Sequence, residues 1–216
     1  MTDAHSMAVR PTGPPPPNRS TLDLRAERTR VALRDALLER IDGRDLDGLS
    51  VAGLCRSAGV HRTTFYGHYP SAEAFAVEVL ADLVDEAASV DGLDGGSVGD
   101  IADAYYATLG RMLDLLARRR GAYRSLFRSS VGNAFREALR TVLRRRLDLA
   151  LDVLGRHDLG PTGRPDLATA FLAGALASTL EAFVESDRSG VEDEARVVFG
   201  LFPPWWPRLP AGSGPS

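Results

Sequence analysis

One stretch constrains the fold more than any other: LSVAGLCRSAGVHRTTFYGHYPS, residues 49–71. It divides into two short helical pieces around Ala58-Gly59-Val60. Ser50 stands where a helix N-cap belongs. Gly59 suits an abrupt helix end, because glycine takes the left-handed conformation without a Cβ penalty. Val51, Leu54, Ala58 and Val60 turn apolar side chains to one side. Two short helices joined by a tight turn containing glycine form a helix-turn-helix. The flanking chain must then supply a small bundle that covers that apolar side.

The flanks have the required periodicity. Leu33, Ala36, Leu37 and Ile41 repeat at helical spacing, with Ser20, Thr21 or Asp23 as candidate caps. Ser71 opens a further helix with Glu73 in its first turn and Phe75, Val79, Leu80, Leu83 and Val84 as its apolar stripe. A Gly/Asp segment, DGLDGGSVGD (91–100), interrupts the chain. Beyond it the spacing predicts helices over about 98–118, 120–129, 132–155, 166–187 and 190–202. No segment alternates apolar and polar residues as a strand requires. The expected fold is all-α: an N-terminal three-helix helix-turn-helix domain and a C-terminal antiparallel helical bundle, about nine helices in total. The expected divisions are a disordered Pro-rich arm (1–20), the helix-turn-helix domain (21–70), a connecting helix (71–90), a second domain (98–204) and a tail (205–216).

Charge is unevenly distributed. The 216 residues carry a net charge of −3, and all 26 basic residues are arginine. The excess of acid lies in 71–103 and the excess of arginine in 104–160. One cysteine, Cys55, excludes an internal disulfide and is expected to be a buried, inert thiol. No run of about 18 apolar residues is evident, so no membrane span is expected. No secretory leader is visible, so a cytoplasmic location is expected. No Gly-rich phosphate loop, nucleophile elbow or metal-ligand cluster occurs among the four histidines and the cysteine. The chain is therefore not expected to be an enzyme, nor to need a cofactor or metal.

The second short helix has side chains suited to DNA. In a helix-turn-helix its N-terminal residues enter the major groove. Here these are His61, Arg62, Thr63 and Thr64. Arg62 suits guanine O6/N7 or a phosphate, and a threonine offers a hydroxyl or a methyl to a base. Tyr66, His68 and Tyr69 suit phosphate oxygens beside the groove. Phe65 is expected in the core, and Tyr69 is also compatible with a core position.

These residues carry a family resemblance. Residues 28–82 resemble the DNA-binding domain of the TetR/AcrR transcriptional regulators, through Ser50, Ala58-Gly59-Val60, Thr64, Phe65, Tyr66 and His68-Tyr69. The resemblance implies double-stranded DNA as a partner, with Ser50, Arg62, Thr63, Tyr66 and His68 at the DNA. Ala72 departs from the family, where a lysine often contacts a phosphate. One such contact fewer implies a salt slope shallower by about one unit, unless Arg25, Arg28 or Arg30, or Arg10 and Arg19 in the arm, substitute. YRSLF (123–127), FLAGAL (171–176) and LFPPWW (201–206) are similar to the subgroup containing the dihydroxyacetone-kinase regulator. That similarity speaks to architecture only.

The resemblance implies a homodimeric, ligand-responsive regulator, most simply a repressor released from a palindromic operator by an unidentified small-molecule effector. The alternative is an activator or co-regulator acting by protein contacts without a ligand. Residues 167–184 are apolar nearly all round, which demands cover on both sides. Phe171, Gly174, Ala175, Ala177, Leu180, Phe183, Val198 and Phe202 are the expected dimer interface. Tyr105, Tyr106, Met112, Tyr123, Phe127 and Phe135 are the expected pocket, and serve equally well as core. Trp205 and Trp206 are read as covering the bundle. The arginines at 118–146 suit an anionic partner. Their spacing favours a solvated face with Arg144–Asp148 pairing and helix-end capping, or neutralisation of the acidic 71–103 region.

Overall fold

The computed structural model describes residues 19–41, 46, 48–90, 96–188 and 190–209. Among these residues there are nine α-helices and no strand: α1 (Arg19–Ile41), α2 (Val51–Ala58), α3 (Arg62–Tyr66), α4 (Ala72–Ala87), α5 (Val98–Arg118), α6 (Arg120–Arg128), α7 (Gly132–Gly155), α8 (Pro165–Glu185) and α9 (Val191–Gly200). The boundaries follow the apolar periodicity to within about two residues in most helices. The start of α1 differs. The helix is already formed at Arg19, so Ser20, Thr21 and Asp23 lie within it and none precedes it as a cap. The expected arm (through residue 18), the centre of the Gly/Asp segment (91–95) and the end of the tail (210–216) lie outside the described residues.

α1, α2, α3 and the start of α4 share one core. Leu33, Leu37 and Ile41 from α1 meet Leu54 from α2 and Phe65 from α3, all essentially inaccessible. Phe65 sits edge-on to Phe75 of α4 at 5.8 Å and beside Tyr69 at 5.5 Å. Burying a ring of this size stabilises by about 1.5–3 kcal/mol, so this aromatic trio locks the α3 turn onto α4. Ser71 caps α4, its hydroxyl accepting from the Ala74 amide at 3.1 Å. Cys55 is buried in the same core, and desolvation pushes its thiol pKa up.

The second half of α4 packs against α7 and α5. Its C-terminal end has no basic residue of its own. Arginines from three other helices supply the cations. Arg34 of α1 holds Glu86 at 2.6 and 2.7 Å. Arg111 of α5 donates to the carbonyls of Ala87 and Ser89 at 3.3 and 2.6 Å. Arg146 of α7 grips the Asp85 carboxylate at 2.7 and 2.9 Å and donates to the Asp85 carbonyl at 2.9 Å. Arg145 reaches the same carboxylate. Burial opposes the charge on Asp85, but the bonds from Arg146 and Arg145 outweigh it and hold the carboxyl below its ordinary range. The stabilisation from that charge is present above the unfolded-state pKa of about 3.9. It is lost as pH falls through the lowered folded value.

α8 ends in the same way. Arg120, Arg124 and Arg128 lie one turn apart along α6 and face the end of α8. Arg120 donates to the carbonyls of Phe183 at 2.8 Å, of Ser186, and of Arg188 at 2.6 Å. Its guanidinium also lies 4.5 Å over the Phe183 ring. Arg124 donates to the Val184 and Ser186 carbonyls at 2.9 and 3.1 Å, and Arg128 pairs with Glu185. Arg136 of α7 pairs with Glu181. The arginine-rich segment is thus largely occupied in joining helices. The expected Arg144–Asp148 pair is not among its bonds. α8 is, by length and composition, apolar enough to cross a membrane, contrary to the expectation of no such run. Here Leu172, Leu176, Leu180 and Val184 are buried against its neighbours.

Arg120→Met should lower unfolding free energy by about 2 kcal/mol, the scale of buried charge-assisted hydrogen bonds. Arg140→Met, whose partner is the nearby Glu137 on an exposed face, should change it by less than about 0.5 kcal/mol. Urea unfolding midpoints compare the two.

Candidate nucleic-acid interface and effector cavity

The helix-turn-helix geometry starts at its turn. The Ser50 hydroxyl accepts from the Gly53 amide at 3.2 Å and starts α2. Gly59 ends it at φ 65°, ψ 28°, left-handed backbone that a side chain would strain. The Val60 amide closes the turn on the Cys55 carbonyl at 2.9 Å. α3 then carries its residues on two sides. Phe65 and Tyr69 point into the core. His61, Arg62, Thr63, Thr64, Tyr66 and His68 are all exposed, as is Ser50 at the start of α2. Tyr66 is 58% exposed although it is a large aromatic ring. Arg25, Arg28 and Arg30 of α1 are exposed as well.

One position departs from the sequence reading, and one agrees with it. Tyr69 is 6% exposed, and its hydroxyl donates to the Glu78 carboxylate at 2.8 Å. Burial first, and then Glu78, push its pKa up to about 12. Its polar end is engaged within the protein, which removes it from the side chains offered outward. Ala72 is buried at 3%, so the position where the family often has lysine presents nothing to a phosphate.

A cavity of about 560 Å³ opens between the end of α4, α5, α7, α9 and the segment after α9. Its wall is mainly apolar, from Leu109 and Met112 on α5, Leu143, Leu147 and Ala150 on α7, and Phe199, Phe202 and Trp206. Its charged lining residues are Arg146, Asp152 and Arg156. Tyr105 lines it and packs at a tilt against Trp206 at 5.1 Å. Burial pushes the Tyr105 pKa up to about 12. The cavity takes in only Tyr105 and Met112 of the six residues expected there. Tyr106 packs on Phe199 at 5.5 Å and fastens α5 to α9. Tyr123 is fully buried, with its hydroxyl donating to the Leu80 carbonyl at 3.2 Å. Phe127 and Phe135 meet edge-to-face at 4.9 Å between α6 and α7. Those four are packing residues. The sequence reading missed Trp206, taken only as a cover, and the Leu143/Leu147/Ala150 face of α7. That face has helical spacing, but spacing alone does not distinguish a cavity wall from a core.

The residues expected at a dimer interface also separate. Phe171 is 71% exposed, Ala175 is exposed, and Gly174 and Phe202 are half-buried. Ala177, Leu180, Phe183 and Val198 are buried within the chain, against its own helices. The apolar rows left outside are Leu167, Phe171 and Ala175 on α8, and Val197 and Leu201 at α9.

No protein-family model matches the chain, and no curated protein sequence matches it. Solved structures do. A complex of RolR with the ligand resorcinol superposes with a TM-score of 0.59 at 19% identity, over 83% of this chain and 89% of that one. The TetR-family repressor AlkX from a Dietzia species gives 0.57 at 16%, over 80% and 91%. The dihydroxyacetone kinase operon activator DhaS gives 0.57 at 15%, over 80% and 93%. The fold is that of the TetR-family regulators. The resemblance carried by residues 28–82 points to the same family as these superpositions.

Within this TetR-family fold, Phe65→Ala should cost about 3–5 kcal/mol of stability. Gly59→Ala should cost about 1 kcal/mol through its left-handed backbone. Tyr66→Ala should stay within about 0.5 kcal/mol. Chemical denaturation tests the order. A Tyr66 variant as unstable as the Phe65 variant would place that ring in the core.

Proposed function

We propose that the chain is a homodimeric DNA-binding transcriptional regulator, acting as a repressor that a small-molecule effector releases from a palindromic operator. The observation that carries the reading is the division of labour on α3. Phe65 is fully buried, while Arg62, Thr63, Thr64, Tyr66 and His68 are exposed around the same turn, with Tyr66 and His68 touching the core at the rings of Phe65 and Tyr69. Polar side chains at the start of a second helix-turn-helix helix match major-groove readout, with flanking residues on phosphates. Ser50 and His61 flank that row. Exposed Arg25, Arg28 and Arg30 are the candidates to supply the phosphate contact that Ala72 does not make.

The cavity supports the effector part of the reading, since its size and apolar lining are those of a small-molecule site. The exposed rows on α8 and α9 support the dimer, because contiguous apolar surface marks an association site. A twofold axis would pair two α3 helices with two half-sites. An activator role is the second reading, favoured by the likeness to DhaS, which is described as an operon activator.

The test begins with selection of bound sequences from random duplex DNA, followed by footprinting. An inverted repeat should emerge. Arg62→Ala and Tyr66→Ala should bind it at least tenfold more weakly in mobility-shift titrations. Wild-type affinity in both variants would sink the assignment of α3. Phe171→Glu should sediment as a monomer with unchanged helix content. A dimer that survives this substitution would move the interface away from α8.

A further inference from the structure

Arg146 belongs to two places at once. Its Nε and Nη2 hold Asp85 at the end of α4, and its side chain also lines the cavity. Arg145, the second guanidinium on Asp85, is not part of that cavity wall. Ala88 and Val90, just beyond Asp85, form part of the same wall. The cavity therefore touches the tie between α4 and α7 directly.

Charge and packing define what the cavity can hold. Its charged lining is two arginines and one aspartate, a net positive set in a mainly apolar wall. An apolar body fits the Leu109, Met112, Leu147 and Phe199 surfaces. An ammonium group would face the guanidinium of Arg146. A carboxylate offers Arg146 the same bidentate geometry that Asp85 offers now. Exchanging one carboxylate for another keeps the guanidinium satisfied. Arg145 stays on Asp85, so the exchange leaves no buried charge without a partner, which is the usual penalty for breaking such a pair.

Resting on the effector reading of this cavity, we propose that its ligand is an apolar molecule bearing one acidic group, and that this group draws Arg146 away from Asp85. The exchange removes three hydrogen bonds between α7 and α4, including the one to the Asp85 carbonyl. α4 begins at the aromatic trio that holds α3, so loosening its far end shifts the population of α3 orientations. A ligand with equal affinity for both states would shift nothing. The differential contact here is the Arg146–carboxylate pair.

Decanoic acid, decanamide and decylamine share one apolar chain and differ in the head group. Trp205 and Trp206 are the only tryptophans, and Trp206 lines the cavity, so intrinsic fluorescence reports occupancy. The acid should bind about tenfold or more tightly than the amide, the scale of a charge-assisted bidentate pair. The amine should bind most weakly. Arg146→Met should abolish the acid's advantage while leaving amide affinity within about twofold. Asp85→Asn frees Arg146 and should tighten acid binding by roughly tenfold without changing the amide. This second variant keeps the shape of the site and stands if the first does not fold. Equal affinities for acid and amide, or an acid preference that survives Arg146→Met, overturn the exchange but leave the cavity as a ligand site. If none of the three probes changes fluorescence or melting temperature, the effector reading falls, and the exchange with it.

Discussion

The end of α4 is where the structure is tied together. Residues 82–89 carry Asp82, Asp85, Glu86 and a row of terminal carbonyls, yet no cation of their own. Asp82 shows the consequence. Burial raises its pKa, and neighbouring Glu78, Glu86 and Asp85 add to the effect, with Arg34 opposing them. Without imported positive charge this end of the helix would repel itself, and the macrodipole would add further negative potential. The guanidiniums of Arg34, Arg111, Arg145 and Arg146 arrive from α1, α5 and α7. Four helices thereby converge on one turn, and α1 of the helix-turn-helix unit shares that turn with helices that wall the cavity.

The same residues explain why the chain is legible in part. The helix-turn-helix is written locally. Ser50, Gly59 and the spacing of Leu54 and Phe65 act within a few residues, so a cap, a left-handed turn and an apolar side can be recognised without the rest of the chain. Helix periodicity carried the nine-helix order for the same reason. Tyr69 was harder to place, because its partner Glu78 lies on another helix and a tyrosine suits a wet rim as well as a core. α8 shows the limit from the other side. A helix apolar nearly all round does not reveal which side meets the rest of its own chain, so Leu180 and Phe171 look alike in sequence although one is buried and the other is the most exposed ring of the helix.

The arginine-rich segment teaches a related lesson. At i, i+4 spacing, Arg120, Arg124 and Arg128 look like a solvated stripe or an anion site. They form neither. Arg128 pairs with the Glu185 carboxylate, while Arg120 and Arg124 meet backbone carbonyls 60 to 68 residues away, and carbonyl acceptors leave no mark in a sequence. Neutral backbone partners also explain how a region with a surplus of arginine over acid can be accommodated without an ionic ligand. The planar, multi-donor guanidinium suits this task in a way that a lysine ammonium does not.

The borrowed cap on α8 also bears on how the molecule comes apart. A helix that ends on its own glycine or asparagine can complete its last turn alone. α8 cannot, because the Ser186 hydroxyl caps only the Phe183 carbonyl, while the donors to the Val184 and Glu185 carbonyls arrive on α6, across a loop of 60 residues or more that must first be closed. The last turn of α8 and the whole of α6 therefore form one cooperative unit. Their amides should exchange with solvent together, and neither should persist as partial structure once the other has opened.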